Sequence, residues 1–172
     1  RDDVIVLGLP RGGVPVAAEV AQALGAPLDT LMVRKLGVPG HEELAMGAIA
    51  SGGVRVLNDD VVGALGISAD TVNAVAARES RELERREHAY RAGRTVILVD
   101  DGIATGATMS AAIEALRHLQ AGRIVVAVPT AALASVAAMR EKVDEVVALM
   151  APTDFFGVGQ WYANFSQTSD QE

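Results

Sequence analysis

Two adjacent carboxylates, Asp100 and Asp101, are the residues of this chain best placed to do chemistry. They end an apolar run, residues 96–99, and precede a loop of small residues in which Thr105 and Thr108 open a predicted helix. The free N–H groups of a helix N-terminus suit a phosphate, and the threonine hydroxyls add donors. The carboxylates suit a diol or a metal ion instead. The pattern therefore predicts a ligand with a hydroxylated ring close to a phosphate, as in ribose 5-phosphate.

Three further clusters of unusual residues punctuate the sequence. Pro10-Arg11-Gly12-Gly13 follows a predicted strand and fits either an anion-binding loop or a simple turn, but not the G-x-G-x-x-G pattern of a dinucleotide site. Arg34-Lys35 predicts either contact with an anionic ligand or a solvated pair. Five of the six aromatic residues fall within residues 155–165. Such a cluster is typical of either a stacking surface for a planar ring or a plug at the sheet edge.

The composition excludes several classes of function. An excess of 22 acidic over 15 basic residues disfavours a duplex nucleic-acid binder, which normally carries a basic face. The chain has no cysteine, which rules out disulfides, thiolate catalysis and iron–sulfur sites, and its three histidines show no metal-ligand spacing. No apolar run reaches the roughly 18 residues of a membrane span. No signal peptide is visible, so we expect a cytoplasmic protein, although the start at Arg1 leaves a missing leader open.

Alternating strand and helix patterns over 172 residues predict one α/β domain with a doubly wound parallel sheet. The predicted strands begin near Val4, Leu28, Thr95, Ile124 and Val146. The first should lie beside the third, at the switch in strand order where such sheets bind ligands. Residues 1–150 are predicted to form this core, and residues 151–172 a small aromatic hood with a polar tail.

The sequence between the second and third of these strands is less regular. Residues 36–47 hold four Gly or Pro residues and two glutamates, which predicts a long mobile loop. Residues 48–57 have the pattern of a hairpin turning at Ser51-Gly52-Gly53. Residues 68–91 predict a long helix rich in Arg and Glu, whose charged surface is either a solvated face or a dimer arm.

The stretch from Val96 to Thr108 resembles the signature with which type I phosphoribosyltransferases bind 5-phosphoribosyl 1-diphosphate (PRPP). It departs from that signature at Gly102, where a larger apolar residue or Ser is usual. The resemblance implies that Asp100 and Asp101 hold the ribose 2- and 3-hydroxyls. It also implies a cradle for the 5-phosphate, formed by Ala104, Thr105, Gly106, Ala107 and Thr108.

The resemblance extends over nearly the whole chain. It implies a diphosphate loop with a non-proline cis peptide at Pro10–Arg11, formed by Pro10, Arg11, Gly12 and Gly13. It identifies residues 34–53 with the family's flexible catalytic loop, in which Arg34 and Lys35 would contact the diphosphate. The implied base-binding hood contains Phe155, Phe156, Val158 and Trp161. The segments RKLGVPGHEELAMGA and FFGVGQWYANF look like a bacterial group of predicted phosphoribosyltransferases that lacks an assigned acceptor.

What the resemblance implies is transfer of ribose 5-phosphate from PRPP to a nitrogenous base or a similar small acceptor, with release of diphosphate. Mg²⁺ would arrive with PRPP, and Asp100 and Asp101 are its candidate protein ligands. We expect a homodimer without nucleic-acid or membrane partners. The alternative on the same fold is a non-catalytic regulator that senses PRPP or a nucleotide.

The residues after the first strand and the residue at position 104 each argue against one class of enzyme. A phosphohydrolase is disfavoured because Leu9-Pro10-Arg11 follows the first strand, where that class of enzyme needs a nucleophilic aspartate. Alanine occupies position 104, where the 6-oxopurine enzymes carry an aspartate for acid–base work on the purine. Since alanine has no proton to move, Ala104 argues against a plain hypoxanthine–guanine enzyme.

Overall fold

The computed structural model describes residues 3–51, 53–83 and 93–166. In chain order its elements are β1 (Val4–Gly8), α1 (Gly13–Leu24), β2 (Leu28–Thr30), β3 (Val33–Val38), β4 (His41–Ala50), β5 (Val54–Leu57), α2 (Asp59–Ala64), α3 (Ala69–Leu83), β6 (Thr95–Val99), α4 (Ala107–His118), β7 (Arg123–Thr130), α5 (Leu133–Arg140) and β8 (Glu145–Met150). A 3-10 turn follows at Val158–Trp161. None of the helices described is long and apolar enough to cross a membrane.

The main sheet has five parallel strands in the order β2-β1-β6-β7-β8, which confirms the predicted doubly wound architecture. Its strands are apolar on both faces because both faces are covered. Val6 and Val99 pack with Ala17 of α1 on one face. Leu98 packs with Ile113 of α4 and other residues of α4 and α5 on the opposite face. As predicted, β1 lies beside β6, at the point where the strand order reverses.

The predicted loop over residues 36–47 is wrong, because these residues belong to β3 and β4, which pair as an antiparallel hairpin. Gly37 and Gly47 have the local signature of loop residues, but both lie inside strands where neighbouring backbone comes close. A Cβ at Gly37 would lie 2.8 Å from the Glu42 carbonyl oxygen, and one at Gly47 would collide with the Val56 carbonyl. Glycine in a strand often marks such a close approach or a bulge.

The remaining boundaries follow the sequence with two differences. The predicted strand from Leu28 to Val33 is divided, since β2 ends at Thr30 and Val33 begins β3 in a second sheet. Helix α2 was not predicted. Helix α3 is described as far as Leu83, and the rest of the predicted helix, residues 84–91, lies outside the described residues. The hairpin over residues 48–57 is confirmed as the pairing of β4 with β5.

The second sheet, in the order β3-β4-β5, packs between α3 and α4. Leu36, Met46 and Ile49 are buried against Val72 and Ala76 of α3. The opposite face of this sheet contacts α4 near its beginning. Successive side chains of a strand point to opposite faces of the sheet. Alternate side chains of β3 therefore face α3 and α4.

This packing makes the hairpin a structural element whose core can be tested. Met46 is 0% exposed, so we expect Met46→Ala to lower the free energy of unfolding by about 2–5 kcal/mol. Leu44 on the same strand is 44% exposed, and Leu44→Ala should change stability by less than about 0.5 kcal/mol. Denaturant unfolding of both variants measures the difference. Equal, small effects would show that residues 36–47 are a loop after all.

Candidate active site

Two helix N-termini lie at the switch point of the main sheet. Helix α1 begins after Gly12, beyond β1, and α4 begins after Gly106, beyond β6. Within the described residues, the capping positions Gly12 and Gly106 make no side-chain hydrogen bond, and neither first turn carries an acidic residue. Helix α2 differs, since the Asn58 side chain accepts a hydrogen bond from Val61 N and its first turn is acidic. Gly13 N and Val14 N of α1 already donate to the Leu9 and Arg11 carbonyls, and both helices present the positive ends of their dipoles, which favour anions.

The loop before α4 is anchored on the neighbouring strand. Ile103 N donates to the Thr130 carbonyl at 3.0 Å, and the Ile103 carbonyl accepts from Ala132 N at 2.9 Å. Ser135 Oγ donates to the Ala104 carbonyl at 2.5 Å. These bonds fix the loop backbone between β6 and β7. The loop is therefore already shaped before any ligand arrives.

The predicted phosphate-binding residues lie together at the start of α4. Ala104, Thr105, Ala107 and Thr108 are exposed, and Thr105 Oγ1 accepts a long hydrogen bond of 3.4 Å from Ala107 N. Gly106 has a φ of 78°, a left-handed conformation that favours glycine. A Cβ there would also lie 2.9 Å from Cε of Met139. A substitution of Gly106 would consequently strain the fold as well as any ligand site.

The paired acids lie against the beginning of α1. Asp100 Oδ1 accepts a hydrogen bond of 2.8 Å from Asp101 N. A side chain at Gly12 would collide with the Asp101 carboxylate, and a Cβ at Gly13 would lie 3.1 Å from Asp100 Oδ1. The glycine pair therefore makes room for the two acids. The sequence pattern relates these glycines only to an anion or a turn, and their contact with the acids is visible only in the folded chain.

The acids form a region of negative potential. Burial raises the pKa of Asp100 to about 7, and the neighbouring charge of Asp101 adds to this effect, while the hydrogen bond from Asp101 N opposes it. The pKa of the Tyr162 hydroxyl is also raised, first by burial and then by the charges of Asp101 and Asp100. This environment would attract a cation and repel an unaccompanied anion.

The two carboxylates could hold a metal ion only if water or a bound ligand supplies its remaining ligands. The described residues contain no group of three or more His, Asp or Glu side chains that could hold a metal ion. Two neighbouring carboxylates alone suit Mg²⁺, which usually keeps several waters and takes its remaining oxygen ligands from substrate phosphates. A metal bound here would thus depend on the ligand.

A cavity of about 980 Å³ opens beside the acids and the beginning of α1. Pro10, Arg11, Gly12 and Asp101 line it from the sheet side, and the Pro10–Arg11 peptide bond is cis, as the resemblance implied. The C-terminal segment lines it with Tyr162, Asn164, Phe165 and Ser166. The rings of Tyr162 and Phe165 are tilted by 44°, with centroids 5.1 Å apart.

The residues predicted for the hood lie away from the lining of this cavity. Phe156 is 91% exposed, and Val158 packs on Gly102. Trp161 is half-buried, and its Nε1 has no hydrogen-bond partner among the described residues. The aromatic cluster correctly indicated the segment, but it could not indicate which rings face inward, because residues 151–165 contain a 3-10 turn and no regular strand.

Arg34 and Lys35 point to opposite sides of β3. Arg34 Nη1 lies 3.7 Å from Glu79 Oε2 on α3. Lys35 lines a separate cavity of about 240 Å³ together with Ala107 and Thr108 of α4. Neither side chain belongs to the described lining of the larger cavity. The structure thus brings Lys35 to the loop predicted to bind the 5-phosphate and directs Arg34 elsewhere.

Comparisons with known proteins agree with this geometry. The phosphoribosyl transferase domain family matches residues 1–163. A Mycobacterium tuberculosis protein named as a candidate phosphoribosyl transferase is 53% identical over 98% of this chain, and the match covers 40% of that protein. The chain therefore spans less than half the length of this curated relative.

Solved structures show the same architecture. Protein TT1426 from Thermus thermophilus is 42% identical, with a TM-score of 0.84 over 99% of this chain and 84% of its own. Adenine phosphoribosyltransferase from Giardia lamblia, complexed with 9-deazaadenine, shares the fold with a TM-score of 0.51 at 16% identity, over 87% of this chain and 70% of its own. The chain belongs to the phosphoribosyl transferase family and has the type I fold.

Proposed function

We propose that this chain transfers ribose 5-phosphate from PRPP to a nitrogen atom of a base-like acceptor and releases diphosphate. The observation that carries the proposal is a pair of helix N-termini with glycine at the capping position, one following the two carboxylates in the chain and the other packed against them. PRPP has the matching order of groups, with a phosphate at one end, a diol in the middle and a diphosphate at the other end. The family assignment supports the same ligand.

The proposed roles follow that order. The N–H groups of residues 105–108 and the hydroxyls of Thr105 and Thr108 bind the 5-phosphate. Asp100 and Asp101 bind the ribose hydroxyls. The backbone of residues 10–13 and the beginning of α1 bind the diphosphate, beside the cavity that Arg11 lines.

The same arrangement accounts for a requirement for Mg²⁺. Diphosphate at the beginning of α1 would lie next to two carboxylates, because these acids contact Gly12 and Gly13. Mg²⁺ bound to the diphosphate would neutralise this repulsion and assist departure of the leaving group. Asp100 and Asp101 would be its protein ligands, together with ribose and phosphate oxygens.

The two cations on β3 receive different roles. Because Lys35 shares a cavity with Thr108, we assign it to the 5-phosphate rather than to the diphosphate. Arg34 lies beside Glu79 and contributes to the packing of β3 on α3. The protein has a net charge of −7, which repels anions. A lysine beside the phosphate loop would supply a local positive charge that favours phosphate binding.

Catalysis on this geometry depends on positioning and electrostatics. The acceptor nitrogen attacks the anomeric carbon as the bond to diphosphate breaks, and positive charge develops on the ribose ring. Asp100 and Asp101 are placed to stabilise that charge, and fixed groups of this kind need no reorganisation during the reaction. The rings of Tyr162 and Phe165 flank the acceptor, since they line the cavity beside Asp101.

The decisive experiment compares wild-type protein with Asp100→Asn/Asp101→Asn. Calorimetry with PRPP and Mg²⁺ measures binding, and diphosphate release with a panel of bases measures turnover. We expect the double variant to lose roughly 100- to 1000-fold in rate, as for other positioned transition-state contacts. Wild-type binding of PRPP without turnover of any base would favour the sensor instead. Full activity in the double variant would contradict the proposed role of the acids.

The pKa of Asp100 gives a separate prediction for stability. Its pKa is raised to about 7 in the folded protein, from an ordinary value of 3.8, so the folded state binds the proton more tightly. Stability should therefore fall as the pH rises from about 4 to about 7. In Asp100→Asn that fall should disappear. At pH 8 the variant should be more stable by roughly 1–3 kcal/mol in denaturant unfolding, and a less stable variant would show that the carboxylate supports the fold.

The two lysines of the chain allow a matched test of the phosphate site. Lys35→Met should weaken PRPP binding by roughly 10- to 100-fold, the usual range for a hydrogen bond to a charged group. Lys142 Nζ donates to Ser110 Oγ at 3.1 Å, near the first turn of α4, but lines neither of the two cavities. Lys142→Met should leave PRPP affinity unchanged in the same calorimetric titration. Equal losses in both variants would indicate only a general charge effect.

A further inference from the structure

The C-terminal segment touches the acid turn, residues 100–102, at two separate points. The Tyr162 hydroxyl donates a hydrogen bond of 2.5 Å to the Asp101 carbonyl oxygen. The methyl groups of Val158 occupy the space beside Gly102, where a Cβ would lie 2.6 Å from Cγ1 and 2.8 Å from Cγ2. One contact is polar and the other apolar, and they hold successive residues of the same turn.

These contacts act on the backbone that carries both acids. Asp101 N donates to Asp100 Oδ1, so a shift of the Asp101 backbone would also move the Asp100 carboxylate. On the far side of the turn, Ile103 N is held by the Thr130 carbonyl at 3.0 Å. The turn is thus fixed by β7 at one end and by the C-terminal segment at the other. Removal of the second support would leave the acids attached to a looser backbone.

Tyr162 links this support to the acceptor side of the cavity. Its hydroxyl contacts the Asp101 backbone, while its ring lines the cavity and packs on Phe165. The ring is held in this position by the preceding turn, in which Tyr162 N donates to the Gly159 carbonyl at 3.3 Å. The side chain that would contact the acceptor therefore also supports the group that would contact the ribose.

We propose that Tyr162 and Val158 are positioning residues that hold Asp101, and through it Asp100, in the geometry that binds the ribose of PRPP. The proposal rests on the proposed function of the site. It also gives a reason for Gly102 in the signature loop, since a larger residue there would displace Val158. Gly102 and Val158 are accordingly a coupled pair.

The hydroxyl is tested with Tyr162→Phe, which keeps the ring and removes the hydrogen bond. We expect kcat/KM for PRPP to fall about tenfold, the effect of one hydrogen bond, with KM for the acceptor nearly unchanged because the ring remains. Amide hydrogen exchange at Asp101 and Ile103 should become faster in the free protein. Unchanged exchange and unchanged kcat/KM would overturn the role of Tyr162.

The apolar contact is tested by rescue. Gly102→Ala should lower kcat/KM for PRPP and accelerate exchange at Asp101, because the new Cβ displaces Val158. Gly102→Ala/Val158→Ala removes the colliding methyl groups, while the new Cβ still lies 3.1 Å from the Thr130 carbonyl oxygen, so the double variant should recover part of the lost activity. A double variant no better than Gly102→Ala would overturn the coupling of the two residues. Thermal unfolding of each variant separates these effects from loss of folded protein.

The two proposals fail in different ways. If wild-type protein neither binds PRPP with Mg²⁺ nor releases diphosphate, the proposed function fails, and the exchange measurements still decide whether residues 158–162 hold the acid turn. If wild-type protein binds and turns over PRPP while every variant behaves like it, the proposed function stands and the positioning role is wrong.

Discussion

The electrostatic conflict between two neighbouring carboxylates is the constraint on which the rest of the site depends. Asp100 and Asp101 share one turn, at the end of a buried strand and against the first residues of α1. Burial raises the pKa of Asp100 to about 7, and the neighbouring charge of Asp101 adds to this effect, so ionising both acids there is unfavourable. The conflict is relieved by a cation or by hydroxyl donors. A sugar diol accompanied by a magnesium diphosphate supplies both.

The fold keeps the two carboxylates close together, despite their repulsion, because the surrounding backbone is rigid. Strand β6 lies in the middle of the main sheet, and its residues Val96, Leu98 and Val99 are completely buried. Fully buried strands in close-packed surroundings cannot shift to separate the two charges. Ile103 is tied to β7 and the start of α5 by two hydrogen bonds, so the chain leaves the acid turn along a fixed path. The hydrophobic core thus holds in place a site that is locally unfavourable.

The sequence predicted those parts of the structure that depend on local pattern. Apolar runs identified the parallel strands, and Asp100-Asp101 with the following loop indicated the candidate site, because each signal lies within a dozen residues. The pairing of β3 with β4 was missed because Gly37 and Gly47 are compatible with a loop and with a strand when only their sequence neighbours are considered. Their role depends on Glu42 and Val56, which only the folded chain brings close.

Side-chain direction was the other quantity that local pattern could not supply. Arg34 and Lys35 are neighbours in sequence and look like one cationic pair. Because successive side chains of a strand point to opposite faces, Arg34 points towards α3 and Lys35 towards α4. Among the aromatic residues, the cluster located the segment, but the turn at Val158–Trp161 decides that Tyr162 rather than Phe156 reaches the cavity.

One departure from the family signature, Gly102, and one departure from the 6-oxopurine enzymes, Ala104, fall in the same loop and have different physical causes. Gly102 is required by packing, because Val158 occupies the space beside it. Ala104 has no such constraint, since its side chain is exposed and its carbonyl is the group engaged, by Ser135. An aspartate at position 104 would therefore be compatible with the fold. In the proposed reaction, its absence would concern the chemistry of the acceptor, whose reacting nitrogen would have to be nucleophilic without a base at that position.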